Sequence, residues 1–184
     1  MRATTEEVRD RLLDAAERLI YRGGIHGTGV DTILAEASVA RMSLYNQFGN
    51  KDGLVLAALE RRDRRWMGWY EARVTALAPA GGGRVLAMFD ALDEWFREPD
   101  FHGCAFINAA GEIGDPGHEV RHLVARHKLA LARFVTMVAR EAGAEPLARS
   151  LFLLIEGAIV SAMVEDRPDA ARDARTAAAR MLGG

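Results

Sequence analysis

Residues 37–51 read ASVARMSLYNQFGNK, and this stretch decides the fold. It divides into a tight turn, a short helix over about Ala40–Gln47, and the start of another helix at Lys51. Leu44 and Phe48 fall four apart, so they share one face. Met42, Ser43 and Asn46 take the opposite face, with Arg41, Tyr45 and Gln47 on its flanks. A helix this short is not stable alone and must be held by neighbours. No acidic residue lies between Ala37 and Lys51, while Arg41 and Lys51 are basic. The outward face therefore suits a negatively charged partner.

The preceding segment supplies the support. Val30–Ala37, VDTILAEA, reads as a second short helix with Ile33 and Leu34 turned inward. Two short helices joined by a few residues make a helix-turn-helix, whose second helix enters the DNA major groove. A helix-turn-helix used only for packing is the other reading of the same residues.

Over Ala15–Leu56 the chain resembles the DNA-binding domain of the tetracycline-repressor (TetR/AcrR) family. The matching residues are Ala15, Ala16, Leu19, Gly24, Gly27, Thr28, Ile33, Ala37, Val39, Leu44, Tyr45, Phe48, Lys51 and Leu54. Three positions depart from the family's habit. Ser38 stands where the turn usually has Gly, so it is expected to carry mild strain. Ala40 stands where a Ser commonly caps the recognition helix, a loss of ~1 kcal/mol. Gly29 stands where Ser or Thr often opens the preceding helix, so Thr28 is expected to cap it instead.

The resemblance implies an all-α protein: a three-helix DNA-binding domain over 1–50 and a helical ligand-binding and dimerisation bundle over 51–184. It places Thr28, Ser43, Tyr45, Gln47 and Lys51 on phosphates, and Arg41, Met42 and Asn46 on bases. The chemistry agrees, since Arg reads guanine O6 and N7, Asn reads adenine, and a Met methyl meets the thymine methyl. The implied partners are double-stranded DNA carrying a palindromic operator, a small-molecule effector and a second copy of the chain. The expected regulator is a repressor, without cofactor or enzymatic activity, whose two recognition helices lie one DNA turn apart, or ~34 Å. A helical small-molecule or metal sensor with no sequence-specific DNA role is the alternative.

Composition allows both. The chain has 184 residues, 49% of them apolar, and a net charge of −2, which excludes a globally basic nucleic-acid binder. The charge is uneven: residues 1–66 carry 11 Lys/Arg against 10 Asp/Glu, while the remainder carries 13 against 16. DNA binding would rest on placed charges rather than bulk attraction. One Cys permits no internal disulfide, as expected in a reducing cytoplasm. No apolar signal core opens the chain, and no membrane span is expected. The longest candidate, Leu151–Val164, is interrupted by Glu156 and Ser161.

Helical periodicity extends through the rest of the chain. The first helix is expected over Thr5–Arg22, ended by Gly23-Gly24. Asn50 is placed to cap a long fourth helix. The loop PAGGG, Pro79–Gly83, separates it from a helix over Arg84–Arg97. Further helices are expected over Gly103–Ile113, about His118–Ala142, Leu147–Glu165, and from Pro168 to Gly184. The helix before Pro168 is apolar on nearly all sides, which points to a core on one side and another subunit on the other. Phe152, Ile155, Ile159 and Met163 are its expected dimer contacts, beside the Ala-rich last helix.

Aromatic residues with a few polar groups suggest a ligand pocket. Met88, Phe89, Trp95 and Phe96 come from one helix, Cys104, Phe106 and Asn108 from the next, and His127 and Phe134 from a third. By resemblance the fourth helix contributes Trp66 and Tyr70. The expected effector is apolar or aromatic, oriented by Asn108 or His127. Several residues have two readings. Cys104 is a thiol sensor or an inert small hydrophobe. His127 is a core histidine or a pocket anchor. His118 and His122, four apart, are half of a metal site or exposed residues at a helix start. Cys104 with a His as nucleophile and base lacks an orienting group and an oxyanion motif.

Overall fold

The computed structural model describes residues 4–81 and 83–183, which hold nine α-helices and no strand. They are α1 Thr5–Gly23, α2 Val30–Ala37, α3 Arg41–Phe48, α4 Lys51–Leu77, α5 Gly83–Phe96, α6 Ala105–Glu112, α7 Glu119–Glu141, α8 Ala148–Val164 and α9 Ala170–Leu182. A 3-10 turn, Glu145–Leu147, leads into α8 with Pro146 in its first turn, where the missing N–H costs nothing. Gly82 of the expected loop and Gly184 of the expected last helix lie outside the described residues.

Local chemistry sets the boundaries. Thr4 and Glu7 form a reciprocal capping box on α1: the Glu7 amide donates to the Thr4 hydroxyl at 3.2 Å, and the Thr4 amide donates to the Glu7 carboxylate at 2.7 Å. Asn50 caps α4 as expected, its side-chain oxygen accepting from the Gly53 amide at 2.8 Å. Ser38 closes α2 in the left-handed region, with φ 52° and ψ 50°, in agreement with the strain expected there. Ala40 opens α3 with no side-chain cap. The expected cap on α2 is corrected: Gly29 is the N-cap and no side chain bonds there, because the Thr28 hydroxyl donates backward to the Gly24 carbonyl at 2.7 Å.

The chain forms two compact units. The first comprises the chain up to Arg64 together with Ala105–Ala125, so it contains α1, α2, α3, the start of α4, α6 and the start of α7. Its core joins Leu12, Ala16, Ile33, Leu44, Leu54 and Ala58. Leu44 is fully buried, which explains how an eight-residue helix is held in place. Arg61 of α4 bonds Glu17 and Asp14 of α1 at 3.1 and 2.7 Å.

The second unit comprises Arg65–Cys104 and Arg126–Gly184. Here α9 lies against α5 and α8 through Ala170, Ala171, Ala174 and Ala178, whose small side chains let the helices approach closely. Arg172–Asp93 at 3.1 Å and Arg175–Asp90 at 2.7 Å flank that seam. Gly103 has φ +77°, and a Cβ there would stand 2.2 Å from Met163 Sδ, so only glycine fits.

One helix is longer and more apolar than the sequence reading has it. Glu145–Val164 runs 20 residues at mean hydropathy 1.8, long and apolar enough to cross a membrane by length and composition. The cause is that the 3-10 turn and α8 form one helical run, longer than the segment read from sequence. In this structure the run packs on α5 and α9, and its Glu156 pairs with Lys128 at 2.7 Å, as expected of a core helix.

Candidate functional site

The exposed face of α3 presents Arg41, Met42, Tyr45 and Asn46, with Met42 64% exposed. An exposed Met among polar side chains offers an apolar group beside hydrogen-bonding ones, the two kinds of contact that base edges accept. Arg41 is not idle: it pairs with Asp31 of α2. A hydrogen bond with Tyr45 and the Asp31 charge hold its guanidinium above the usual range. Gln47 donates its side-chain amide to the Thr5 carbonyl at 3.0 Å, which ties the end of α3 to the start of α1. Arg9 of α1 lies over the Phe48 ring at 4.6 Å. Ser43 is half-buried. Lys51, also half-buried, donates to the Ile25 carbonyl at 2.6 Å. Thr28 is only 4% exposed, with its hydroxyl proton on Gly24.

In the second unit, Trp66 is the hub of an aromatic cluster. Its ring stacks on Tyr70 at 5.0 Å and meets Trp95 at 5.2 Å and His127 at 5.6 Å. Tyr70 meets Phe134 at 5.7 Å and donates its hydroxyl to the Met88 carbonyl at 3.0 Å. Burial pushes the Tyr70 phenol far up, so it stays protonated as this donor. Phe96 joins through Trp95 at 5.8 Å. The Trp66 indole N–H is buried and has no hydrogen-bond partner. Buried donors are nearly always paired, so an orphan asks for an explanation.

The chain matches two family models: bacterial regulatory proteins of the tetR family over residues 12–58, and the tetracyclin repressor-like C-terminal domain over residues 81–178. It belongs to the TetR family of bacterial transcriptional regulators. A TetR-family regulator from Streptomyces coelicolor is 34% identical, with 96% of this chain and 95% of that one covered at a TM-score of 0.88. The Escherichia coli repressor NemR is 28% identical over 123 residues, 64% of this chain. The chain spans about 60% of NemR's length in that match. The structure of reduced E. coli NemR covers 95% of this chain and 97% of its own at a TM-score of 0.80 and 20% identity, a likeness of fold.

A TetR-family DNA-binding regulator is thus what the helix-turn-helix serves, and the family is one of regulators rather than enzymes. The aromatic residues named from sequence divide between the units. Trp66, Tyr70, Met88, Trp95, Phe96, His127 and Phe134 come together, with His127 1% exposed. Phe89 and Cys104 are buried in the same unit, Cys104 with its Sγ 3.4 Å from Lys128 Nζ. Phe106 and Asn108 belong to the first unit instead. There Asn108 lines a cleft between α1, α4 and α6, with Tyr21, Leu59, Arg62 and Glu112. Asn108 lies with α6 in the first unit, which the chain enters at Ala105. Among the described residues no group of three metal-ligating side chains exists, and His118 Nδ1 accepts from the Val120 amide at 3.1 Å.

The expected dimer residues lie largely inside. Phe152, Ile155 and Ile159 are core of the second unit, and Met163 is half-buried against Gly103. The stripe α8 leaves outward is Leu153, Gly157, Val160 and Val164, with Leu153 53% and Val164 69% exposed. Sequence reading missed Arg9 and Glu112, and the pairing of Asp31 with Arg41. A capping box was legible in Thr4-x-x-Glu7, but nothing local marks Glu112.

Proposed function

We propose that this regulator is a homodimeric repressor released from a palindromic operator by a small apolar or aromatic effector. Residues 1–50 read DNA, and 51–184 bind effector and partner. The observation that carries the effector reading is the orphan Trp66 indole N–H inside the aromatic cluster. It suits an aromatic molecule that carries one hydrogen-bond acceptor. The dimer reading rests on the α8 stripe, whose i, i+4, i+7, i+11 spacing makes one continuous apolar face. Two such faces make an isologous contact across a two-fold axis. An effector that binds better to a different half-site spacing lowers operator affinity by linkage. NemR is a transcriptional repressor, which supports the direction of control. A cytoplasmic location goes with the role.

The test starts from a random-sequence duplex pool from which the full chain selects its operator. Aromatic compounds are then screened for quenching of the indole fluorescence and for release of that duplex. A selected site without two-fold symmetry, or quenching compounds that leave DNA binding unchanged, would refute the reading.

A further inference from the structure

The loop between α1 and α2 is held by one carboxylate from far along the chain. Glu112, the last residue of α6, accepts from the Ile25 amide at 2.8 Å and the His26 amide at 2.7 Å. The His26 ring lies 3.5 Å from the same carboxylate. Gly24 has φ +78°, and a Cβ there would stand 2.8 Å from Glu112 Oε1, so glycine admits the carboxylate as well as the turn. On its other side the loop is held by Lys51 on the Ile25 carbonyl and Thr28 on the Gly24 carbonyl.

Glu112 is in the wrong place for its own helix. The C-terminal end of a helix carries partial negative charge and disfavours an acid there. Such a violation of local preference marks a residue whose value lies in its partners. Two charge-assisted bonds to backbone N–H groups supply that value. The loop they order leads directly into α2, which supports α3. Moreover, the segment Ala105–Ala125, which α6 opens, continues along the chain into the second unit at Cys104 and at Arg126.

We propose that Glu112 is a positioning residue for operator recognition: its carboxylate fixes the α1–α2 loop and thereby the aim of the helix-turn-helix. When α6 shifts, the two amides lose their acceptor and the fraction of chains able to read the operator falls. Apparent affinity falls by that fraction.

The experiment uses the full chain and the duplex it selects, with Glu112→Gln, which keeps shape but loses the charge. Specific affinity should fall about 10-fold, roughly the equivalent of one hydrogen bond to a charged group, since Gln keeps a neutral acceptor oxygen. Affinity for random duplex and its salt slope should stay at the wild-type level. Removing a negative charge by itself favours DNA binding, so bulk electrostatics predicts the opposite sign. Equal or tighter specific binding by Glu112→Gln overturns the proposal. So does equal weakening on specific and random DNA, or a lowered thermal midpoint that accounts for the loss. A second arm needs no DNA and no variant: the Ile25 and His26 amides of the wild-type chain should exchange slowly with solvent. Exchange at the rate of unstructured amides overturns the proposal even if no duplex is selected, an outcome that would itself count against the operator reading.

Discussion

Asp31 of α2 pairs with Arg41, the first residue of the recognition helix, and both side chains are exposed. On the proposed operator reading, the acid holds a guanidinium that turns to the bases in the complex. Binding DNA must exchange this pair for contacts on the duplex. We predict that Asp31→Ala tightens binding to the selected duplex a few-fold, by freeing Arg41 and removing a like charge to phosphate. Arg41→Ala should instead relax preference at one base position, costing ~1–3 kcal/mol if the contact is bidentate. Binding measured on single-base operator variants separates the two. Weaker binding by Asp31→Ala would show that the pair sets the angle of α3 rather than restraining it.

Lys51 has two possible roles, and salt separates them. As a phosphate contact its loss weakens all DNA alike and shallows the salt slope by ~1. As a brace on the Ile25 carbonyl, its loss weakens specific binding and leaves the slope unchanged. We expect Lys51→Ala to show the first pattern, checked by titrations at several salt concentrations on selected and random duplex. An unchanged slope assigns Lys51 to the loop alone.

Trp66→Phe removes the orphan indole N–H and keeps most of the apolar surface. Deleting an unpaired buried donor should cost little stability, within ~1 kcal/mol. Effector affinity should nevertheless fall by ~10-fold or more, since one buried hydrogen bond is lost. Operator binding without effector should be normal. Phe89→Ala should also blunt the response, but through a cavity that costs ~3–5 kcal/mol of stability. The paired measurement is thermal midpoint and effector-dependent release; a normal response from Trp66→Phe would remove Trp66 from the effector site.

The two faces of α8 make opposite predictions. Val160→Glu places a charge on the outward stripe and should yield a folded monomer. Ile159→Glu, one residue away and 1% exposed, buries an unpaired charge and should unfold the chain. Native mass spectrometry and circular dichroism on the pair decide this. A stable wild-type monomer at micromolar concentration would defeat the dimer reading.

The sequence by itself determined what depends on neighbours a few residues apart. Period-3.6 stripes, the Gly and Pro breaks and the Asn50 cap marked out the helices, and the spaced pattern from Ala15 to Leu54 sufficed for the family. The left-handed Ser38 was legible through the resemblance, because the family's turn usually has Gly there, the residue that takes positive φ without steric cost. Tertiary structure decided whatever depends on which helix faces which. An all-round apolar α8 has no sequence signal for its inner face; the packing of α5 and α9 buried Ile155 and Ile159 and left Leu153, Val160 and Val164 outside. Asn108 and His127 read alike as polar groups on apolar helices, yet α6 folds into the first unit, where Asn108 lines a cleft, while His127 packs on Trp66 within the second. Glu112 shows the limit most plainly. Its partners are 87 and 86 residues distant and are backbone amides, which any residue supplies, so no side-chain pattern could announce them.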